Sequence, residues 1–318
     1  MSKRMIVTGA AGFIGSHVCE ALVARGDDVT GIDCFTDYYD PAQKRANLAA
    51  LATHPRFRLV EESLTETDLD PLLDGASVVF HLAAQAGVRR SWGTDFEHYI
   101  EHNVRATQRL CEAMKGRGAR LVYSSSSSVY GETAHLPMRE DHPTRPRSPY
   151  GVTKLAGEAL CLLYGDNHGL PVACLRYFTV YGPRQRPDMA FHRFIAAMLA
   201  GDPIDVYGSG TQTRDFTYVS DAVAANLAAA DYDGPESVFN IGGGSRVSLN
   251  SVIDLLGKIT GRAPDARFRE AQKGDVTHTY ADITRAGREL GYAPRIGIED
   301  GLRQEVEWLD AKRRGVGA

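Results

Sequence analysis

The chain has 318 residues, 43% hydrophobic and 24% charged, with a formal net charge of -4, the make-up of a water-soluble globule long enough for one large domain and a smaller lobe. That balance, without basic runs, excludes nucleic acid as an expected partner; no apolar run reaches the ~18 residues of a membrane span, and Lys3-Arg4 lead directly into an apolar strand rather than a leader. Five scattered cysteines (Cys19, Cys34, Cys111, Cys161, Cys174), odd in number and without a CxxC pair, suit a reduced cytoplasmic protein, most of them as small core residues, and no metal site is expected.

From residue 4 to about 176, short apolar strands alternate with amphipathic helices. Strands are expected at 5–8, 28–32, 56–60, 77–81, 120–124 and 172–176, and helices at 42–52, 68–73, 96–115 and 149–164. The pattern predicts an α/β fold built on a doubly wound parallel sheet of Rossmann type. The first strand runs into Gly9-Ala10-Ala11-Gly12-Phe13-Ile14-Gly15. Gly9 permits the tight turn, Gly12 lets the backbone approach a pyrophosphate, Gly15 lets helix and strand pack closely, and the helix offers free amides to phosphate. The second strand ends in Asp33, about 20 residues past the loop, where an acid meets the ribose. Its carboxylate accepts from a 2′-hydroxyl and repels a 2′-phosphate, so NAD is expected rather than NADP, against the alternative of a turn aspartate.

Farther on, Ser124 to Ser128 place five hydroxyls at the carboxyl end of a central strand, the edge where such folds bind ligands, although a serine-rich turn reads the same way locally. Ser148 suits a helix N-cap and Pro149 a first helical residue, which puts Tyr150 and Lys154 one turn apart on one face. A phenol of pKa ~10 is a weak base, and a nearby ammonium favours its phenolate. Alone the pair reads as surface residues; beside the glycine loop and the serines it reads as a proton-abstracting base in a redox enzyme. After Arg176 the pattern breaks into Tyr181-Gly182-Pro183 and Gly208-Ser209-Gly210 around a helix at 190–200, and a buried strand returns at 237–241. The expected domains are 1–175 plus 215–243 for NAD and 176–214 plus 244–318 for substrate.

With GAAGFIG at 9–15, HLAAQAGV at 81–88, Asn103, SSSSSVYG at 124–131, Tyr150 with Lys154, RYFTVYGPRQRPDMAFHRF at 176–194, RDFTYVSD at 214–221 and GDVTHTYAD at 274–282, nearly the whole chain resembles the extended short-chain dehydrogenase/reductase family. Within it the chain is similar to the nucleotide-sugar 4-epimerases. The resemblance implies Ser126, Tyr150 and Lys154 as catalytic residues. It implies NAD held by Gly9, Gly12, Phe13, Ile14, Gly15, Asp33, Leu64, Ala83, Ala84, Gln85, Asn103, Ser124, Tyr150, Lys154 and Tyr177. In its mechanism Tyr150 takes the 4-hydroxyl proton, hydride passes to NAD, the 4-keto sugar turns over, and hydride returns to the other face. It also implies a homodimer through the helices at 96–115 and 149–164. The chain departs from the pattern at Ser63, where the family has an aspartate that meets the adenine amino group.

Relatives that dehydrate or decarboxylate carry an acid just before Val-Tyr-Gly; this chain has Ser127-Ser128, so epimerisation is expected. The stretch around Arg186 is similar to that of UDP-glucuronate 4-epimerases. Oxidising a uronic acid at carbon 4 makes a β-keto acid prone to lose carbon dioxide, and Ser127, Ser128, Thr179 and Arg186 supply donors that anchor its carboxylate. For the nucleotide half, Val206 and Tyr207 are expected to flank the base, with Arg193, Arg214 and Asp275 at the diphosphate and ribose, against an internal Arg214-Asp215 pair. The expected substrate is UDP-glucuronate; the alternatives are UDP-glucose or its N-acetyl form, and, from another class, a non-catalytic NAD-sensing regulator.

Overall fold

The computed structural model describes residues 2–133 and 135–315. In chain order the elements are β1 (Arg4–Thr8), α1 (Phe13–Ala24), β2 (Asp28–Ile32), α2 (Pro41–Asn47), β3 (Phe57–Val60), α3 (Asp70–Leu73), β4 (Val78–His81), α4 (Phe96–Tyr99), a π-helical turn (Ile100–Arg105), α5 (Ala106–Met114), β5 (Arg120–Ser126) and α6 (Pro149–His168). There follow β6 (Val172–Tyr177), β7 (Thr179–Tyr181), α7 (Ala190–Ala200), β8 (Ile204–Tyr207), β9 (Thr213–Tyr218), α8 (Val219–Asp231), β10 (Val238–Ile241), β11 (Arg246–Ser248), α9 (Leu249–Thr260), β12 (Ala266–Arg269), α10 (Thr284–Leu290) and α11 (Ile298–Arg313).

Seven strands form one parallel sheet in the order β10-β6-β5-β4-β1-β2-β3. Because β1 lies between β2 and β4, with Met5 opposite both Val29 and Val78, the direction of strand addition reverses there and opens a crevice at the carboxyl ends. Successive side chains alternate across the sheet. Met5 and Val7 enter one core with Phe80, Val18 and Leu22, while Ile6 enters the other with Val79, Leu110 and Leu121. This two-sided burial is why the strands read as continuous apolar runs.

The helix expected at 149–164 extends to His168 and stops at Gly169, in the left-handed region at φ 66°. The helical stretch expected at 96–115 contains the π turn, which admits an extra residue and carries Asn103 inward to full burial. In the 215–243 segment expected to rejoin the first domain, β9 pairs not with the large sheet but with β7 and β11 in a three-stranded sheet, while α8 packs against α1 and β10 pairs with β6. β8 and β12 form a further parallel pair. Tyr181, Phe191, Phe216 and Tyr218 pack ring against ring, with Phe191 and Phe216 centroids 4.6 Å apart, and fix this small sheet to α7. Among the described residues no helix is long and apolar enough to cross a membrane, and the five cysteines are free thiols.

Candidate active site

The crevice holds two connected cavities. The first is lined by Gly9, Gly12, Phe13, Ile14, Gly15, Asp33, Leu64, Ala83, Ala84, Gln85, Ser124, Tyr150, Lys154 and Tyr177. The turn is glycine because the chain is too tight for anything else: a Cβ on Gly15 would sit 2.1 Å from the Gly9 carbonyl oxygen, and Gly9, at φ 68°, lies against the Ala83 amide. Gly12 caps α1 without any side-chain hydrogen bond and no acid occupies the first turn, so the helix presents unsatisfied N–H groups to the cavity. At the tip of β2 the Asp33 carboxylate accepts from the Ala11 amide at 3.1 Å and the Phe35 amide at 2.8 Å. Lys44, itself buried, stands 3.6 Å away. Asn103, expected at the cofactor, does not line the cavity. Its amide carbonyl accepts from the Gln85 N–H at 2.7 Å and its NH2 donates to the Gln85 carbonyl and the Thr153 hydroxyl, so it ties the loop after β4 to α6. Ser63 lines the wall, but its hydroxyl is spent on Thr65, 2.9 Å away.

Tyr150 lines both cavities at the sheet edge, and Lys154 lines the first. Ser148 Oγ accepts from the Gly151 amide at 3.1 Å and Pro149 starts α6, which aims position 150 and the residue one turn later at the same space. Burial pushes the Tyr150 hydroxyl above its usual range; the Arg186 charge and hydrogen bonding toward Ser126 pull it back, and Asp188 opposes them. The leading counter-charge is therefore Arg186, where the sequence pointed to Lys154. Burial lowers the Lys154 ammonium to about 8, and its Nζ lies 4.5 Å from the centroid of Tyr123. Ser126 Oγ accepts from the Ser128 amide at 3.1 Å, which pins the end of β5. Behind it Ser125 donates to Glu158 at 2.5 Å, and Glu158 forms a buried two-point pair with Arg176 at 2.6 and 3.0 Å.

The second cavity brings together Ser126, Ser127, Ser128, Tyr150, Thr179, Arg186, Arg193, Tyr207, Arg214 and Asp275. Val206 is not among them: it is fully buried, because neighbouring strand residues face opposite sides and Tyr207 takes the open one. Asp275 is paired with Arg89 at 3.0 Å, and the Arg89 and Arg193 guanidinium carbons lie 4.4 and 5.6 Å from the Tyr207 ring centroid. The Arg214-Asp215 pair is absent; Arg214 donates to the Thr213 and Thr277 carbonyls, and Asp215 accepts from the Gly243 and Ala281 amides.

Residues 5–242 match the model of the NAD dependent epimerase/dehydratase family. The chain belongs to this family. It is 38% identical over 309 residues to a UDP-glucuronate 4-epimerase of Thermodesulfobacterium geofontis, covering 95% of each chain, and 45% identical over 317 residues to an uncharacterised UDP-glucose epimerase of Bacillus subtilis, covering 98% and 99%. A solved structure of the UDP-glucuronic acid 4-epimerase of Bacillus cereus, in complex with UDP-glucuronic acid and NAD, superposes with a TM-score of 0.94 at 44% identity, covering 97% of this chain and 99% of that one.

As a member of the NAD dependent epimerase/dehydratase family the chain uses NAD, and the first cavity suits it: uncapped amides for a pyrophosphate, a carboxylate for a ribose, and the Tyr150–Lys154 pair at the far end. Four polar residues of the crevice escaped the sequence reading: Lys44 beside Asp33, Arg89 against Tyr207, and Asp188 and Tyr38 against Arg186. Only Lys44 left a local signal, since Asp40 and Pro41 mark a helix start and Lys44 falls in the last turn of the short helix that follows.

Proposed function

We propose that this enzyme interconverts UDP-glucuronate and UDP-galacturonate through a transient 4-keto sugar. The observation that carries the reading is Arg186 beside Tyr150 in one cavity with the hydroxyls of Ser127, Ser128 and Thr179, a donor set that suits a carboxylate at carbon 5; the UDP-glucuronate complex of the Bacillus cereus relative supports it. Bound NAD supplies the hydride acceptor and donor at carbon 4. Tyr150 takes the proton of the 4-hydroxyl, Ser126 holds that oxygen, and Lys154 steadies the phenolate and the nicotinamide ribose. Gly12, Phe13 and Ile14 receive the pyrophosphate, Asp33 the ribose, and Leu64, Ala83, Ala84, Gln85, Ser124 and Tyr177 shape the pocket, with Asn103 acting through Gln85. Arg193, Arg214 and Tyr207 serve the nucleotide half of the substrate, in a lobe formed by 176–214 and 244–318.

A neutral UDP-hexose is the second reading, favoured by the Bacillus subtilis relative named as a UDP-glucose epimerase. Incubating the enzyme with UDP-glucuronate, UDP-glucose and UDP-N-acetylglucosamine and separating the products decides between them; preferred turnover of UDP-glucose overturns the uronate reading. The enzyme works in the cytoplasm as a homodimer, a state supported by the exposed Ile100, Val152 and Leu163 on the π turn and α6.

A further inference from the structure

Arg186 meets the sugar cavity already engaged. Its Nε and Nη2 donate to the two carboxylate oxygens of Asp188 at 2.9 and 3.0 Å, a two-point contact along one edge of the guanidinium. Among the described residues Nη1 has no acceptor. The Tyr38 hydroxyl donates to Asp188 at 3.2 Å, and Tyr38 is itself seated: a Cβ on Gly87 would lie 2.1 Å from its oxygen, and the Arg90 guanidinium stacks 5.0 Å from its ring centroid. Tyr38, Arg186 and Asp188 all line the sugar cavity with Tyr150. Burial raises the Asp188 carboxyl, yet Arg186 and Tyr38 outweigh it and hold the group below the usual carboxylate range, so it is ionised at neutral pH.

An Arg–carboxylate contact made through the side edge of the guanidinium is the strongest and most oriented grip a protein offers a uronate. A 4-epimerase is ill served by it. The keto sugar has to present its opposite face before hydride returns, and every contact that fixes one orientation of the ring opposes that turn. Charge selects the substrate; too much directional charge would trap it.

Resting on the uronate reading above, we propose that Asp188, seated by Tyr38, is a specificity-determining residue. It occupies the side edge of Arg186 and offsets its charge, leaving only the end of the guanidinium to the sugar, which favours a carboxylate without the side-on grip. Asp188 does not touch the reacting atoms; it acts on substrate binding through Arg186, and its charge also raises the Tyr150 pKa, so the binding measurement carries the test.

The test is binding and turnover of Asp188→Asn. Calorimetric titration of UDP-glucuronate and UDP-glucose is done in a Tyr150→Phe background, where no sugar is consumed. Asp188→Asn should tighten UDP-glucuronate roughly tenfold and leave UDP-glucose where it was, since an uncompensated guanidinium meets only the carboxylate. With Tyr150 intact, kcat on UDP-glucuronate should fall by on the order of tenfold while KM also falls, and more of the enzyme should show reduced-cofactor absorbance in the steady state. Tyr38→Phe, which leaves the ring under Arg90, should move both quantities the same way by less. Unchanged or weaker UDP-glucuronate binding in Asp188→Asn, or equal shifts for both sugars, overturns the inference. A wild-type enzyme that ignores UDP-glucuronate instead overturns the functional reading beneath it.

Discussion

At Tyr150 one oxygen sits among opposing influences: burial and Asp188 raise its pKa, Arg186 and Ser126 lower it. Removing that oxygen alone tests its role. Tyr150→Phe should abolish epimerisation by at least a thousandfold, on the scale of lost general acid–base catalysis, with NAD content and melting temperature kept; more than a tenth of the activity remaining would exclude Tyr150 as base. Lys154 makes a pH prediction. Burial depresses its pKa from the usual lysine range to about 8, so it binds its proton below that range and releases it as pH rises through about 8. If the cation supports the phenolate and the cofactor, kcat/KM bends downward above about pH 8; a profile that keeps climbing there contradicts the role. Arg186→Ala removes a charge-assisted contact of roughly 1.5–3 kcal/mol. UDP-glucose turnover should also drop, because Tyr150 loses its leading counter-charge, but UDP-glucuronate turnover should fall a further ~10–100-fold, and mass spectrometry should find a decarboxylated 4-keto pentose that wild type does not release. Equal losses on both sugars would remove Arg186 from the carboxylate.

At the scale of elements, the loop from β1 to α1 is an interlock of backbone atoms. Gly15→Ala forces a methyl to within 2.1 Å of the Gly9 carbonyl, which the turn relieves only by moving the helix start off the strand. NAD affinity should drop by on the order of a hundredfold or more while the remaining sheet stays folded, measurable by fluorescence titration of NAD with circular dichroism as the control; wild-type affinity would show that the loop yields. Such elements were legible in sequence because they rest on local rules: glycine where a Cβ has no room, Ser148 and Pro149 at a helix start, Asp33 at a strand end. The alternation of side chains was also there to be used, and it separates Val206 from Tyr207. Asn103 was misplaced because a π turn sets its direction, and nothing in the residue types announces an extra residue in a helix. Asp188 and Tyr38 lie 150 positions apart and meet only through the fold, so no spacing rule reaches them.

For the whole molecule, the apolar side chains left on the outer face of the π turn and α6, with Leu163 54% and Val152 50% exposed, suit burial against a second copy. Light scattering at micromolar concentration should give twice the chain mass, and Leu163→Asp should weaken that association at least tenfold; a fully active monomer would refute it. The sheet order holds a last consequence, for synthesis rather than catalysis. β6 finds its outer neighbour only when Val238 lies opposite Cys174, after α7, β8, β9 and α8 have all been made. Until then the growing chain carries an open parallel edge beside strands that are already complete, the kind of surface that recruits other unfinished chains. A ribosome halted between α8 and β10 would therefore hold a nascent protein whose nucleotide loop is finished while the outer edge of β6 is still unpaired.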